Sequence, residues 1–323
     1  MGNRFVIIGA GRIARRHAVQ IRQVGELVAV ADPDARKRAD FCREFPVPGF
    51  DDSLALLQQT DANVAVICSP NGLHPLHTRQ ALAQGLTVLC EKPFCLRAAD
   101  AQALITFSRQ AALPVYLVLS ARYHQAVQAA RQVIAEGKWG PLLSFQLNAC
   151  WQRTAAYYRE NDWHGTASLD GGILYTQFSH YIDALCWLVP GLQVVAVEKA
   201  NFLHTGTIEG EDCGVALLKA AAGAIGALHW TVNATNKNQE ISLQLVFEKA
   251  TLQLGGPFME RIVWQENAPG APVLPAVSQA PGSHHDLVYA ELQKALAGEP
   301  HSLPQMEAGL PSVELIEAIY RAG

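Results

Sequence analysis

The first fourteen residues constrain this chain more than any other stretch. Arg4-Phe5-Val6-Ile7-Ile8 is a short apolar run, followed by Gly9-Ala10-Gly11-Arg12-Ile13-Ala14 and a helix-like segment. A strand, a Gly-x-Gly-x-x-Ala turn and a helix together form the opening unit of a dinucleotide-binding fold. Gly9 suits the tight turn, and Gly11 lets the backbone approach a pyrophosphate. Ala14, small like the usual third glycine, allows the helix to pack closely on the strand. The helix N-terminus then offers N–H groups to phosphate oxygens. A second apolar run, Leu27 to Ala31, ends in Asp32. An acid about 20 residues after the glycines binds the adenosine ribose hydroxyls and repels a 2′-phosphate, so the expected cofactor is NAD.

At 323 residues the chain suits two domains. Half of it is apolar and 17% is charged, which fits a packed globular protein. A net charge of −4 argues against nucleic acid as the main partner. No apolar run approaches the ~20 residues that span a bilayer, so no membrane partner is expected. The first strand begins at residue 4, and no signal peptide is expected. Seven cysteines (Cys42, Cys68, Cys90, Cys95, Cys150, Cys186 and Cys213) are scattered without a Cys-x-x-Cys pair. That usage suits buried thiols in a reducing cytoplasm.

Strand-like and helix-like segments alternate up to about residue 120. Strands are predicted at 4–8, 26–31, 63–68, 86–90 and 114–119, with a short one near 47–50. Helices are predicted at 12–23, 34–44, 74–84 and 98–111. This alternation implies an α/β Rossmann domain over 1–120, a doubly wound parallel sheet covered on both faces. Its ligand crevice should lie at the carboxyl ends of the strands. Three of those ends carry polar groups: Gly9–Ala14, Ser69-Pro70-Asn71 and Glu91-Lys92-Pro93. After a helix at 124–136 come long alternating runs at 142–151, 193–204, 212–219, 224–233 and 240–247. These predict an α+β domain over 121–323 with a large open, mainly antiparallel sheet. A helix over 171–188 interrupts the strands, 265–283 reads as a loop, and helices at 284–297 and 304–321 follow. An uncovered antiparallel face needs a partner, so a homodimer or homotetramer through this sheet is expected.

The chain resembles the Gfo/Idh/MocA oxidoreductase family over nearly its whole length. The matching features are Gly9–Ala14, Asp32-Pro33, Ser69-Pro70-Asn71-Gly72-Leu73-His74, Glu91-Lys92-Pro93 and Gly171-Gly172 with His180-Tyr181-Ile182-Asp183. Members use NAD(P) to oxidise or reduce a ring carbon of a sugar, cyclitol or nucleotide sugar. Tyr157-Tyr158, Asp162-Trp163-His164-Gly165-Thr166 and Asp170-Gly171-Gly172 further resemble the UDP-N-acetylglucosaminuronate 3-dehydrogenases of surface-polysaccharide biosynthesis. The resemblance implies cofactor contacts from Gly9, Ala10, Gly11, Arg12, Ile13, Ala14, Asp32, Ser69, Pro70, Asn71, His74, Glu91 and Lys92. His74 would fix the loop under the nicotinamide. One departure stands out: many relatives carry Asp, and this subgroup often Asn, where this chain has Thr176.

Alcohol oxidation by NAD needs a base for the hydroxyl proton and a donor or cation for the developing alkoxide. Lys92 and His180 are the catalytic candidates. Histidine has an ordinary pKa of about 6.5, whereas lysine must fall from about 10.4 before it can act as a base. His180 is therefore assigned as base and Lys92 as alkoxide stabiliser and proton relay, with the opposite assignment open. Thr176 and His180, at i and i+4, should share one helix face, and Asp183 could partly replace the missing Asp. Gln177 could touch substrate or nicotinamide. A nucleotide sugar brings a diphosphate and a carboxylate, and Arg122, Arg153 and Arg159 are candidates to meet them. Tyr157 and Trp163 could stack on a ring. Paired His74 and His77 have no third ligand nearby in sequence, so no metal is expected. Other readings are a free-sugar or inositol dehydrogenase, an NAD-dependent glycosidase, and a non-catalytic NAD-binding regulator.

Overall fold

The computed structural model describes residues 2–275, 277 and 284–322. The chain divides into two units, Met1–Leu119 with His284–Val313, and Ser120–Ser283 with Glu314–Gly323. Residues 284–313 thus fold with the first unit, whereas a single division near residue 120 assigns them to the second.

The first unit alternates strands and helices in chain order: β1 (Arg4–Ile8), α1 (Arg12–Val24), β2 (Glu26–Ala31), α2 (Ala35–Glu44), β3 (Gly49–Phe50), α3 (Ser53–Gln59), β4 (Val64–Ile67), α4 (His74–Ala83), β5 (Thr87–Cys90), α5 (Ala98–Ala111) and β6 (Val115–Leu117). The sheet is parallel with order β3-β2-β1-β4-β5-β6. Continuous burial of Phe5–Ile8, Val64–Ile67 and Val88–Cys90 reflects helices on both faces. Helix α1 buries Ala14, His17, Ala18 and Ile21 along one stripe. Asp34 and Asp52 start α2 and α3 by accepting backbone N–H bonds from the first turn. Chain order reverses between β1 and β4, the topological switch where such folds bind ligands. Helix α3 was absent from the sequence reading, being only two turns long.

The second unit contains α6 (Gln125–Ala135), β7 (Leu142–Cys150), α7 (Ala155–Arg159), α8 (Ser179–Leu188), β8 (Gln193–Ala200), β9 (Cys213–Lys219), β10 (Ile225–Thr231), β11 (Glu240–Phe247), β12 (Ala250–Gly255) and β13 (Arg261–Asn267). Helix α9 (His285–Leu296) returns to the first unit, and α10 (Met306–Ala322) is divided between the two. The seven strands form one sheet, β13-β12-β11-β7-β10-β9-β8, antiparallel except where β7 and β10 run parallel. Alternation along β7, β9 and β11 buries Phe145, Leu147, Ala149, Ala216, Leu218, Leu243 and Leu245 on one face. Strands β12 and β13 correct the sequence reading. The expected loop at 265–283 begins inside β13, and 276 and 278–283 lie outside the described residues.

The segment before α8 brings a second correction. Leu174–Phe178 is a π-helical turn, so an uninterrupted α-helix over 171–188 does not form. The wider turn alters the i, i+4 register assumed for Thr176 and His180. The Thr176 hydroxyl donates to the Asp170 carbonyl at 3.2 Å.

Candidate functional site

In the first unit, polar groups gather at the carboxyl ends of β1, β2, β4 and β5. Gly9 has φ +101°, and a Cβ there would meet the Cys68 carbonyl oxygen at 2.5 Å. Both the backbone angle and the close approach of the β4 loop require glycine. Gly11 differs: a Cβ there would meet no protein atom within 4 Å. The space over Gly11 is open, and no side chain caps the α1 N-terminus behind it. This arrangement fits a pyrophosphate resting on the first turn of α1. The Asp32 carboxylate accepts the Ala10 N–H at 2.7 Å and the Asp34 N–H at 2.9 Å. It is thus oriented at the end of β2, where a ribose would lie. Ala14 is fully buried against the sheet, while Arg12 is exposed and Ile13 partly so.

The loops after β4 and β5 are tied together by His74. Its Nδ1 lies 2.7 Å from the Pro93 carbonyl and its Nε2 lies 2.8 Å from the Ser69 carbonyl. Burial holds this ring below its ordinary pKa, and the two carbonyl bonds oppose that shift. Neighbouring His77 bonds the Ser69 hydroxyl through Nδ1 at 2.8 Å, and burial lowers its pKa to about 4. Pro70 is half-buried and Asn71 is buried at this loop. Lys92 is half-buried and follows β5. The buried carboxylate of Glu91 is engaged by His17 at 2.9 Å and His285 at 3.1 Å. Neither histidine was singled out from sequence.

In the second unit, three sequence candidates converge. Arg153 donates from Nε to the Gln177 amide oxygen at 2.7 Å, and Gln177 donates to the Tyr157 hydroxyl at 2.9 Å. The Arg153 guanidinium lies over the Trp151 ring at 4.9 Å and the Tyr157 ring at 5.1 Å. Its Nη1 donates to the Gln152 carbonyl at 2.6 Å and to Asn238 Oδ1 at 3.0 Å. The π turn carries Gln177, which is buried within this cluster. Tyr157 stacks on His164 at 4.6 Å with the rings 12° apart, and Trp163 meets the same imidazole at 4.2 Å. Asn238 was missed in the sequence, where it sits in no spacing that marks it; His164 belongs to the Asp162–Thr166 motif, but its ring contacts were not legible there. His180 lies half-buried in the first turn of α8.

Three other candidates are placed differently. Arg122 is buried and forks onto Asp183 through Nε at 2.7 Å and Nη2 at 2.8 Å. That ion pair engages two of the Arg122 nitrogens and both Asp183 carboxylate oxygens. Arg159 is exposed at the end of α7. Thr176 turns its hydroxyl to a backbone carbonyl, as above.

Both units have relatives among known proteins. Residues 3–118 match the oxidoreductase family with an NAD-binding Rossmann fold (GFO_IDH_MocA), and residues 127–253 match the GFO/IDH/MocA C-terminal domain. The chain superposes on the WlbA dehydrogenase from Bordetella pertussis, crystallised with NADH and UDP-GlcNAcA, with a TM-score of 0.90. The two are 29% identical, and the match covers 100% of this chain and 96% of that one. Glucose-6-phosphate 3-dehydrogenase of Bacillus subtilis is 27% identical over 188 residues, 56% of this chain; the match spans 52% of that relative, about half its length. Inositol 2-dehydrogenase of Paracoccus denitrificans is 26% identical over 261 residues, 78% of this chain and 73% of that protein. Among the described residues no helix is long and apolar enough to cross a membrane.

Proposed function

We propose that this chain, which belongs to the Gfo/Idh/MocA oxidoreductase family, is an NAD-dependent dehydrogenase of a nucleotide-linked sugar. The substrate class is a UDP-sugar such as UDP-N-acetylglucosaminuronate, and the reacting carbon is C3. The observation that carries this reading is the end-to-end match to the WlbA dehydrogenase at a TM-score of 0.90. The name of the Bacillus relative, a 3-dehydrogenase, supports the ring position. The open cradle over Gly11 and the carboxylate of Asp32 would hold NAD, which when bound accepts the hydride leaving the ring carbon.

His180 takes the proton from the ring hydroxyl, and the Lys92 ammonium stabilises the alkoxide that forms. Arg153, packed over the Trp151 and Tyr157 rings, presents its guanidinium to the substrate's anionic groups. Tyr157 and Trp163 line the sugar or base. A second copy of this chain covers the open face of the seven-stranded sheet.

Incubation of the protein with NAD and a UDP-sugar panel should generate NADH, and Lys92→Ala and His180→Ala should abolish that signal while NADH binding persists. The match to inositol 2-dehydrogenase favours a second reading, oxidation of a ring alcohol without a nucleotide. Turnover of inositols with none on UDP-sugars would select it.

A further inference from the structure

We propose that Glu91 is a positioning residue for Lys92, its carboxylate clamped by His17 from α1 and His285 from α9 while it accepts the Lys92 backbone N–H. The inference rests on the reading of Lys92 as a group that acts on substrate.

Each oxygen of the carboxylate has its own work. Oε1 receives the Nε2 contacts of His17 at 2.9 Å and His285 at 3.1 Å, and Oε2 accepts the Lys92 N–H at 3.2 Å. A carboxylate only accepts hydrogen bonds, so both imidazoles present Nε2–H to it. His17 then has a lone pair at Nδ1, which accepts the Tyr289 hydroxyl at 2.8 Å. All four side chains are buried, with Glu91 at 6% exposure and His17 at 0%. The two imidazoles meet edge to face at 4.9 Å.

The elements explain why this matters for Lys92. Helix α1 carries the glycine turn at its N-terminus, and His17 lies on its buried face. Glu91 and Lys92 directly follow β5. His285 and Tyr289 come from α9, far along the chain. The clamp therefore fixes the Lys92 segment to the helix on which the cofactor's phosphates would rest. Burial opposes ionisation of Glu91, but the two histidine bonds overcome it and hold the carboxyl well below its ordinary range. Burial likewise keeps His17 below its ordinary pKa despite the carboxylate beside it. The other ionisable groups around the clamp are Arg16, Cys68, His74, Cys90, Lys92 and Tyr289.

A structural clamp and a positioning clamp differ in what they move. His285→Leu removes one donor, while His285→Gln keeps an N–H near the same place. Positioning requires that His285→Leu lower kcat at least about tenfold, since small misplacements of a reacting group are costly. NADH affinity should stay within about threefold, because His17 still holds Glu91 to α1. His285→Gln should recover most of the lost kcat. The exchange rate of the Lys92 amide, followed by NMR, should rise about tenfold in His285→Leu and return toward wild type in His285→Gln. An unchanged kcat and Lys92 amide in a folded His285→Leu protein would overturn the proposal. So would parallel loss of NADH affinity in both variants, or a stoichiometric divalent metal found in the purified protein by elemental mass spectrometry. If the wild type turns over no ring alcohol, the functional reading fails, and the Lys92 amide still decides the positioning role.

Discussion

Arg122 grips both carboxylate oxygens of Asp183, at 2.7 and 2.8 Å, inside the unit that carries His180. Asp183 stands three residues after His180 on α8, and both partners of the ion pair are buried. Burial pushes the Asp183 carboxyl above its ordinary pKa, and Arg122 opposes that shift. Removing one partner leaves the other buried and unpaired. Arg122→Met or Asp183→Asn should therefore each cost about 3–5 kcal/mol in denaturant unfolding. Joint replacement by Met and Leu should cost less than either single change. Single variants as stable as wild type would show that the pair is dispensable.

Gly9 and Gly11 are two residues apart but answer to different constraints. At Gly9 a side chain collides with backbone and the φ of +101° disfavours one, so Gly9→Ala should reduce stability and soluble yield. At Gly11 a methyl group meets open space, so Gly11→Ala should unfold at nearly the wild-type temperature. Its NADH affinity should fall about tenfold or more, because the methyl occupies the pyrophosphate's place. Fluorescence titration and thermal unfolding on the same two variants separate the effects. Equal NADH affinity in Gly11→Ala would remove the phosphate from that turn.

The glycine turn was legible because its chemistry is local: spacing, small residues and an acid at the end of the next strand. Strand positions up to β6 were legible for the same reason, through short apolar runs between turns. The partners of Glu91 were not, since His17 and His285 lie 74 and 194 residues away from it. Arg122 could be recognised as a cation, but the buried carboxylate it meets lies 61 residues further on. The π turn at Leu174–Phe178 escaped because one widened turn barely alters a helical pattern. That turn nevertheless decides which side chains share a face, and it places Gln177 in the Arg153 cluster.

His77 supplies a pH test. Burial lowers its pKa to about 4 from an ordinary 6.5, so the folded state favours the neutral ring. The unfolded chain then binds the proton more readily. Stability from this group is complete above pH 6.5 and is lost progressively as the pH falls toward 4. Allowing for partial exposure of the ring, the loss is about 1–2 kcal/mol. His77→Asn retains a side chain able to bond Ser69 but cannot titrate in this range. Its unfolding free energy should fall less than wild type between neutral pH and pH 4.5, by about that amount. Superimposable pH profiles would assign the acid sensitivity elsewhere, with buried His17 and His74 the next groups to test.

The open face of the second unit's sheet carries a prediction about assembly. Register places Trp264, Gln253, Gln244, Gln146, Ala227, Leu217 and Ala196 in one row across all seven strands. Leu217 is 51% exposed and Trp264 41%, while Val215 and Ile225, on the same face, are 41% and 64% exposed. Side chains of this row are uncharged, while Glu198 and Lys219 share the face beside it, opposite Val215 and Ile225. A face of this kind needs about 800 Å² per partner to form a stable interface, and seven paired strands provide a surface of that order. Leu217→Asp should leave the fold intact, because the site points away from the buried layer. It should convert the assembly to monomer in light scattering, by placing a charge where the interface is driest. A wild-type monomer at micromolar concentration, or an unchanged mass for Leu217→Asp, would show that the sheet face serves something other than self-association.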